Sequence, residues 1–391
     1  MDIKVDMKFP WLDSHPWLDF DAPAILQRLG PEVWMLLGEA KSKCEHIAGV
    51  PLMPHVAQEM HRIYLTKGVQ ATTAIEGNTL TEQEVRKRIE QDLSLPPSKE
   101  YLGQEIDNIV TACNQLMGPE WDGPVTSGQL EALNAAVLEG LPLGESVLPG
   151  RLREHNVGVG SYRAPDVRFN HRLVDEFCAW LARSNEGVPT RLTLHYAILR
   201  AVLAHLYFVW IHPFGDGNGR TARLLEVQIL LSAGVPTPAA HLLSNHYNET
   251  RSEYYRRLEL ASRGRDPSGF VLYAVQGFVD QLQEQLKWVR SQQLSVTWES
   301  YVYAQFRGQP SPSLQRRRAL VFALSSQSEP VPKKAIRRLS PELAVAYATK
   351  TDKTISRDLN VLVDMKLVRK VKWGYQACID NLRAFMPVVK G

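Results

Sequence analysis

Between residues 212 and 223 the chain reads His212-Pro213-Phe214-Gly215-Asp216-Gly217-Asn218-Gly219-Arg220-Thr221-Ala222-Arg223. No other segment limits its fold and chemistry so strongly. An apolar helical stretch, Thr193 to Trp210, runs into Pro213. A glycine-rich turn follows, and a second helix begins near Arg220 and covers Thr221 to Ala233. Bare backbone N–H groups at a helix start favour negative charge. Gly217 and Gly219 let the backbone approach a phosphate closely. Arg220 and Arg223 are three apart, hence on one helix face. Two guanidinium groups at a helix N-terminus oppose the helix dipole unless an anion sits there. Asp216 is a hard oxygen donor suited to Mg²⁺ that bridges phosphates. His212, beside the anion site, suits a general base near neutral pH. The lysine-containing P-loop pattern is absent, so this is a different phosphate-binding solution. Each residue alone has a plain packing or turn role. The ordered combination of base, metal ligand, glycine turn and paired arginines does not.

That segment resembles the signature of the Fic family (filamentation induced by cAMP), H-x-F-x-[DE]-G-N-G-R-x-x-R, at every specified position. The resemblance covers about residues 100 to 290. It implies a mostly helical core that transfers AMP from ATP to a protein hydroxyl. By the same resemblance His212 takes the proton from the target hydroxyl, and Asp216 holds Mg²⁺ on the α- and β-phosphates. Gly217, Asn218 and Gly219 line the anion hole, Arg220 and Arg223 grip the outer phosphates, and Phe214 anchors the loop. The segment Val157 to Arg163 matches the family flap, onto which an extended piece of a target protein could add as a strand. The same fold and motif can also remove AMP.

A second motif lies upstream, Thr72-Thr73-Ala74-Ile75-Glu76-Gly77-Asn78. Gly77 is a natural helix stop. Glu76 therefore falls in a last helical turn, where the dipole disfavours a carboxylate. A solvated glutamate is one reading. The other comes from resemblance to the family's inhibitory motif, [ST]-x-x-x-E-[GN]-N, in which the glutamate pairs with the second motif arginine, here Arg223. A carboxylate and a γ-phosphate use the same guanidinium fork, so the enzyme would be self-inhibited.

The 391 residues, 44% hydrophobic and 22% charged, are ordinary for a globular protein and exclude a disordered or collagen-like chain. No run approaches a membrane span of uninterrupted apolar residues. Met1 to Lys4 has no signal-peptide character. The four cysteines are widely spaced, which predicts a reducing cytoplasm and no metal-spaced pair. The net charge of +3 conceals an asymmetry: from Pro310 onward the balance is +10, and the rest of the chain carries −7.

The expected fold class is mostly α: a Fic-type helical core with a small β-hairpin flap, an N-terminal helical region and a C-terminal winged helix-turn-helix. The expected domains are 1–99, 100–294 and 313–391. Phe9 to Phe20 reads as an irregular arm with Trp11 and Trp17 packed, and Gly308 to Ser313 as a linker. Arg151 to Phe169 reads as a hairpin, and Ser268 to Leu294 as one long helix. In the tail, helices are expected near Arg316–Leu324, Lys333–Leu339 and Lys353–Val363, then a hairpin through Gly374. The stretch Ser340 to Thr351 is longer than such a module needs. Lys353 to Asn360 resembles a recognition helix, with Ser356 and Arg357 able to reach phosphates or bases. DNA binding and dimerisation or target docking stand as alternatives for this tail. A different class of function also stands, a DNA-binding regulator whose Fic core senses nucleotide.

Overall fold

The computed structural model describes residues 9–20, 24–121, 123–184, 186–307 and 311–383. Met1 to Lys4, residues 308–310 of the expected linker and the last eight residues lie outside them. The described residues form two compact units, divided between Lys287 and Trp288. The described residues up to 99, expected as a separate domain, fall in the same unit as the segment that follows.

In the first unit the helices are α1 (Ala24–Arg28), α2 (Pro31–Gly49), α3 (Pro54–Ile75), α4 (Glu82–Ile89), α5 (Glu100–Gln115), α6 (Ser127–Leu138), α7 (Asn170–Arg183), α8 (Thr193–Ile211), α9 (Asn218–Ser232), α10 (Thr237–Ala240), α11 (Leu242–Glu249) and α12 (Arg251–Gly264). The last helix, α13 (Ser268–Gln305), contains the division. It outruns the expected Leu294 because no glycine or proline interrupts it before Gly308. The core is the α8–α9 pair. Apolar residues go almost all round α8, from Ala197 to Ile211, and a helix of that kind has to be buried. Within Thr190–Ile211, which is long and apolar enough by length and composition to cross a membrane though charged and polar residues interrupt it, 72% of the most apolar 18-residue window is buried inside this unit.

Around that pair α3 packs on α5, α9 and α11. Its Gly68 lies so close to His241 that a Cβ there would overlap the imidazole at 2.6 Å. At its end Gly77 takes φ +108°. The Gly77 N–H reaches Ala74 O at 3.0 Å and the Asn78 N–H reaches Thr73 O at 3.1 Å, a pattern that satisfies orphan carbonyls. The expected capping box starts α4, with the Glu84 N–H on Thr81 Oγ1 and the Thr81 N–H on Glu84 Oε2.

The segment Arg151 to Phe169 is less of a hairpin than its composition promised. Only β1 (Gly158–Val159) and β2 (Tyr162–Arg163) pair, antiparallel, with Gly158 opposite Arg163. Upstream, Leu152 instead bridges Phe214. The arm is irregular and its tryptophans are packed, as expected. Trp11 is fully buried with its indole N–H on Leu18 O at 2.9 Å, and His15 Nε2 lies 2.9 Å from Arg163 O of β2.

The second unit holds α14 (Pro312–Ser325), α15 (Pro341–Tyr347), α16 (Asp352–Asp364) and the antiparallel pair β3 (Val368–Val371) and β4 (Gly374–Ala377). The helix expected near Lys333–Leu339 is a 3₁₀ helix, Lys333–Arg338. The over-long stretch after it contains α15, started by Pro341 and by Ser340 Oγ, which accepts the Leu343 N–H at 3.2 Å. Val331 bridges Tyr375 and extends the hairpin by one position. Beneath α16, Asp358 is 1% exposed and binds Arg316 (2.7 Å), Arg317 (2.8 Å) and the Tyr347 hydroxyl (3.1 Å).

Burial alone would raise the Asp358 pKa. The hydrogen bonds from Arg316 and Arg317 outweigh it and hold it below the usual value. Its stabilising effect is therefore complete above the unfolded-state value and is lost as pH falls through the lower folded-state value. Replacing it leaves two arginines without their carboxylate. We expect Asp358→Ala to destabilise this unit by about 3 kcal/mol near neutral pH. In urea unfolding the gap between variant and wild type should shrink below about pH 4. A pH-independent gap would mean that the ion pairs contribute nothing.

Candidate active site

The site is built where α8 stops. His212 closes that helix in the left-handed conformation, φ 50° and ψ 59°, which costs a non-glycine residue energy and persists only where neighbours enforce it. The enforcing residue is Arg153, 4% exposed. Its Nε donates to His212 O (2.9 Å), Nη1 to His155 O (2.9 Å) and Nη2 to Pro165 O (2.7 Å). Buried Asn170 adds a bond to Pro213 O at 3.0 Å. Nothing in their sequence context marked Arg153 or Asn170 as functional.

After Pro213 the loop closes on itself. The Asn218 amide accepts the Phe214 N–H and donates to Phe214 O, both at 2.9 Å, while the Phe214 ring is buried. Asn218 can thus serve an anion only through its backbone N–H. From α6, fully buried Asn134 donates to Asp216 O at 2.9 Å and accepts the Gly150 N–H at 3.0 Å. Gly217, at φ +75°, starts α9 without any side-chain cap. The first α9 amide with a backbone acceptor is Thr221, on Gly217 O. The N–H groups of Asn218, Gly219 and Arg220 have no acceptor among the described residues.

A carboxylate fills that position. Glu76, at the end of α3, lies so close that a Cβ on Gly219 would collide with its Oε1. The same oxygen accepts from Arg223 Nη2 at 2.6 Å. Arg223 is 1% exposed and also donates to Thr72 Oγ1 (2.8 Å) and Thr72 O (3.0 Å). Its Nη1 finds no partner among the described residues. Burial would raise the Glu76 pKa, but the Arg223 charge and hydrogen bond, aided by Arg220, bring it below the usual value. The Glu76 side chain stays 33% exposed, so solvent or a ligand can reach it.

The end of α3 is held from both sides. The Arg251 guanidinium and the Tyr255 hydroxyl both donate to Ile75 O, at 2.7 and 3.1 Å. Glu105 on α5 accepts from Asn78 Nδ2 (2.8 Å) and from Arg220 Nη1 (3.1 Å), and so ties the two motifs together. These contacts join four distant stretches of chain, which is why the sequence reading missed Glu105 and Arg251.

His212, Glu76, Gly219 and the flap residues Val159 to Arg163 all line one cavity of about 830 Å³, together with Trp17, Trp210 and Tyr254. The Tyr162 hydroxyl donates to Trp210 O at 2.8 Å and anchors the flap. Tyr254 is buried, with its hydroxyl 2.9 Å from His205 Nε2. Asp216 is exposed. Its Oδ1 accepts the Gly217 N–H (2.5 Å) and stands 3.6 Å from Arg220, and Oδ2 carries no bond among the described residues. No cluster of three metal-ligating side chains occurs among the described residues. One carboxylate still fits Mg²⁺ that arrives on phosphates and keeps several waters.

The sequence model of the Fic/DOC family matches residues 124–230. Protein adenylyltransferase fic-1 of Caenorhabditis elegans is 29% identical over 240 residues, which cover 60% of this chain and 43% of that protein. Protein adenylyltransferase Fic of Nematostella vectensis is 28% identical over 262 residues, covering 65% and 57%. The chain thus spans about half the length of the curated relatives it matches. A solved structure of C. elegans Fic-1 superposes with a TM-score of 0.54 at 25% identity, over 66% of this chain and 73% of that one. A Fic family protein from Desulfovibrio desulfuricans shares the fold, with a TM-score of 0.56 at 24% identity over 88% and 92%.

Burial lowers the His212 pKa most, and its Nδ1, 3.4 Å from Val209 O, gives a smaller opposing effect, as do the charges of Glu76 and Asp216. The ring should be neutral at pH 7, with Nδ1 carrying the proton and Nε2 free to accept one. In a metal-free NMR titration we expect the His212 midpoint below 6.5, and lower again in Glu76→Gln. A midpoint above that value would contradict the assignment.

Proposed function

We propose that the chain, whose residues 124–230 match the Fic/DOC family model, is a member of that family and an autoinhibited protein adenylyltransferase. It transfers AMP from ATP to a hydroxyl side chain (Ser, Thr or Tyr) of a target protein, itself included. The observation that carries this reading is the shared cavity. His212, Gly219 at the start of α9, Glu76 and the flap all line it, so base, the helix start that would cradle phosphate and the flap meet in one space.

The roles follow from that placement. The target segment lies along Val157–Arg163, and its hydroxyl reaches His212. Nε2 takes the proton as the hydroxyl oxygen attacks the α-phosphorus. The bond from that phosphorus to the bridging oxygen breaks, and pyrophosphate leaves. Catalysis here is mainly positioning and charge stabilisation. The amides of Asn218, Gly219 and Arg220, uncapped by any side chain, cradle phosphate oxygens. Arg220 and Arg223 hold the outer phosphates, and the vacant Nη1 of Arg223 is available to them. Mg²⁺ bound by Asp216 would neutralise phosphate charge. The four cysteines are free, which suits the cytoplasmic setting proposed for the protein.

Glu76 blocks this arrangement. Its carboxylate occupies the guanidinium face and the helix end that a γ-phosphate would use, and the two anions are mutually exclusive. ATP would then bind with its α-phosphate out of line for attack. A plug that lowers the competent population about a hundredfold contributes only ~2.7 kcal/mol. With equal ATP and Mg²⁺, incorporation of labelled AMP should rise by about that factor in Glu76→Gly. In that background His212→Ala should cut the rate by ~10²–10⁴-fold without loss of ATP binding, and Arg223→Ala should abolish transfer. A folded Glu76→Gly protein with an unchanged or lower rate would sink the inhibitory role. It would support the alternative, removal of AMP with Glu76 positioning water.

For the second unit we propose a winged helix-turn-helix that binds duplex DNA. The favouring observation is an open groove along α16 lined by Lys333, Lys353, Ser356, Arg357 and Asn360. In the full-length protein DNA affinity should fall steeply with salt. Lys353→Ala with Arg357→Ala should flatten the slope by up to about two counterions, about one for each side chain that contacts a phosphate. No DNA binding at low salt would favour dimerisation or target docking instead.

A further inference from the structure

The groove along α16 offers more than positive charge. Ile355, Asp358, Leu359 and Leu362 turn one face of that helix into the core of the second unit. Lys353, Arg357 and Asn360 recur at four and three residues, so they share the opposite face, and all three are exposed. Asp364, the next residue along that face, ends the helix beyond the groove.

The polar groups of the groove fall into two kinds. Some are engaged within the protein. Ser356 Oγ donates to Asp352 O at 3.1 Å and accepts from Lys333 Nζ at 3.3 Å. Asp352, the acid in the groove, is paired with Arg337 at 3.0 Å. The Lys353 ammonium, the Arg357 guanidinium and the Asn360 amide have no hydrogen-bond or ion-pair partner among the described residues. Lysine is a point charge on a flexible stem. Arginine and asparagine end in planar groups with fixed donor and acceptor positions. Attraction to phosphates alone uses Lys333, Lys353 and Arg357 but has no use for neutral Asn360. Base edges in the major groove do use it: an arginine fork fits guanine O6 and N7, and an asparagine amide fits adenine N6 and N7. Three residues of helix advance about 4.5 Å, between one and two base-pair steps of about 3.4 Å.

Resting on the DNA-binding reading of this unit, we propose that α16 reads sequence in the major groove. Arg357 selects a guanine, Asn360 selects an adenine one or two base pairs away, and Lys333 and Lys353 hold flanking phosphates. The major groove of duplex RNA is too deep and narrow for such side chains, which makes DNA the partner. The test is selection of bound duplexes by the full-length protein from a random-sequence DNA library near physiological salt. The enriched site should contain that guanine and adenine, and replacing either base should weaken binding roughly 5- to 150-fold. Arg357→Ala should erase the preference at the guanine and keep it at the adenine, and Asn360→Ala should do the reverse. Lys353→Ala should weaken all duplexes alike and lower the salt slope by about one, with both preferences intact. Absence of DNA binding at low salt would overturn the DNA reading and this inference with it. Equal binding to every duplex would leave DNA binding standing and overturn the base readout. An enriched site without the two purines, or a preference for them that survives both alanine variants, would overturn the assignment to Arg357 and Asn360.

Discussion

Among the described residues, three backbone amides at the start of α9 have no acceptor of their own, and the site is organised around that deficit. A helix beginning inside a packed core normally takes a cap from a neighbouring side chain. Here the preceding residue is Gly217, which has none to offer, and the asparagine that follows spends its amide on Phe214. The amides and the positive end of the helix dipole are left without a cap, with Gly219 on the cavity wall, and they call for an anion. The anion present is the carboxylate of Glu76, brought from another helix.

Arg223 makes the arrangement two-valued. It is too buried to do without a partner, and Thr72 supplies only neutral acceptors. The charge has to come either from Glu76 or from something that replaces it. Because the glutamate stays partly exposed, exchange does not require the core to open. Arg251, Tyr255 and Glu105 hold the last turn of α3 from outside. They set how firmly the carboxylate is presented without touching it.

The strained backbone at His212 is held by a different set of contacts. Arg153 and Asn170 saturate the carbonyls of His212 and Pro213, while Arg153 also grips the strand leading into the flap. The side chain that would act on a hydroxyl and the hairpin that would present it therefore share one buried guanidinium. The arm at residues 9–20 completes the arrangement, with Trp17 on the cavity wall and His15 on the outer edge of β2.

The local sequence determined whatever depends on residues close together in the chain. The all-round apolar pattern of α8, the Gly77 stop, the Thr81 capping box and the turn from His212 to Arg220 follow from periodicity and backbone preference, and each was legible. The order of chemical groups from His212 to Arg223 likewise placed base, turn and arginines without any tertiary information. Two details escape local reading, the 3₁₀ form of the helix Lys333–Arg338 and the presence of α15 in the over-long stretch after it, because short helices carry too few periods to register. What only the tertiary structure decided was which buried polar group answers which. That Glu105 spans Asn78 and Arg220 and that Arg153 fixes His212 are facts about side chains many residues apart. A polar residue's type states what it needs, and only the folded core determines whether the need is met.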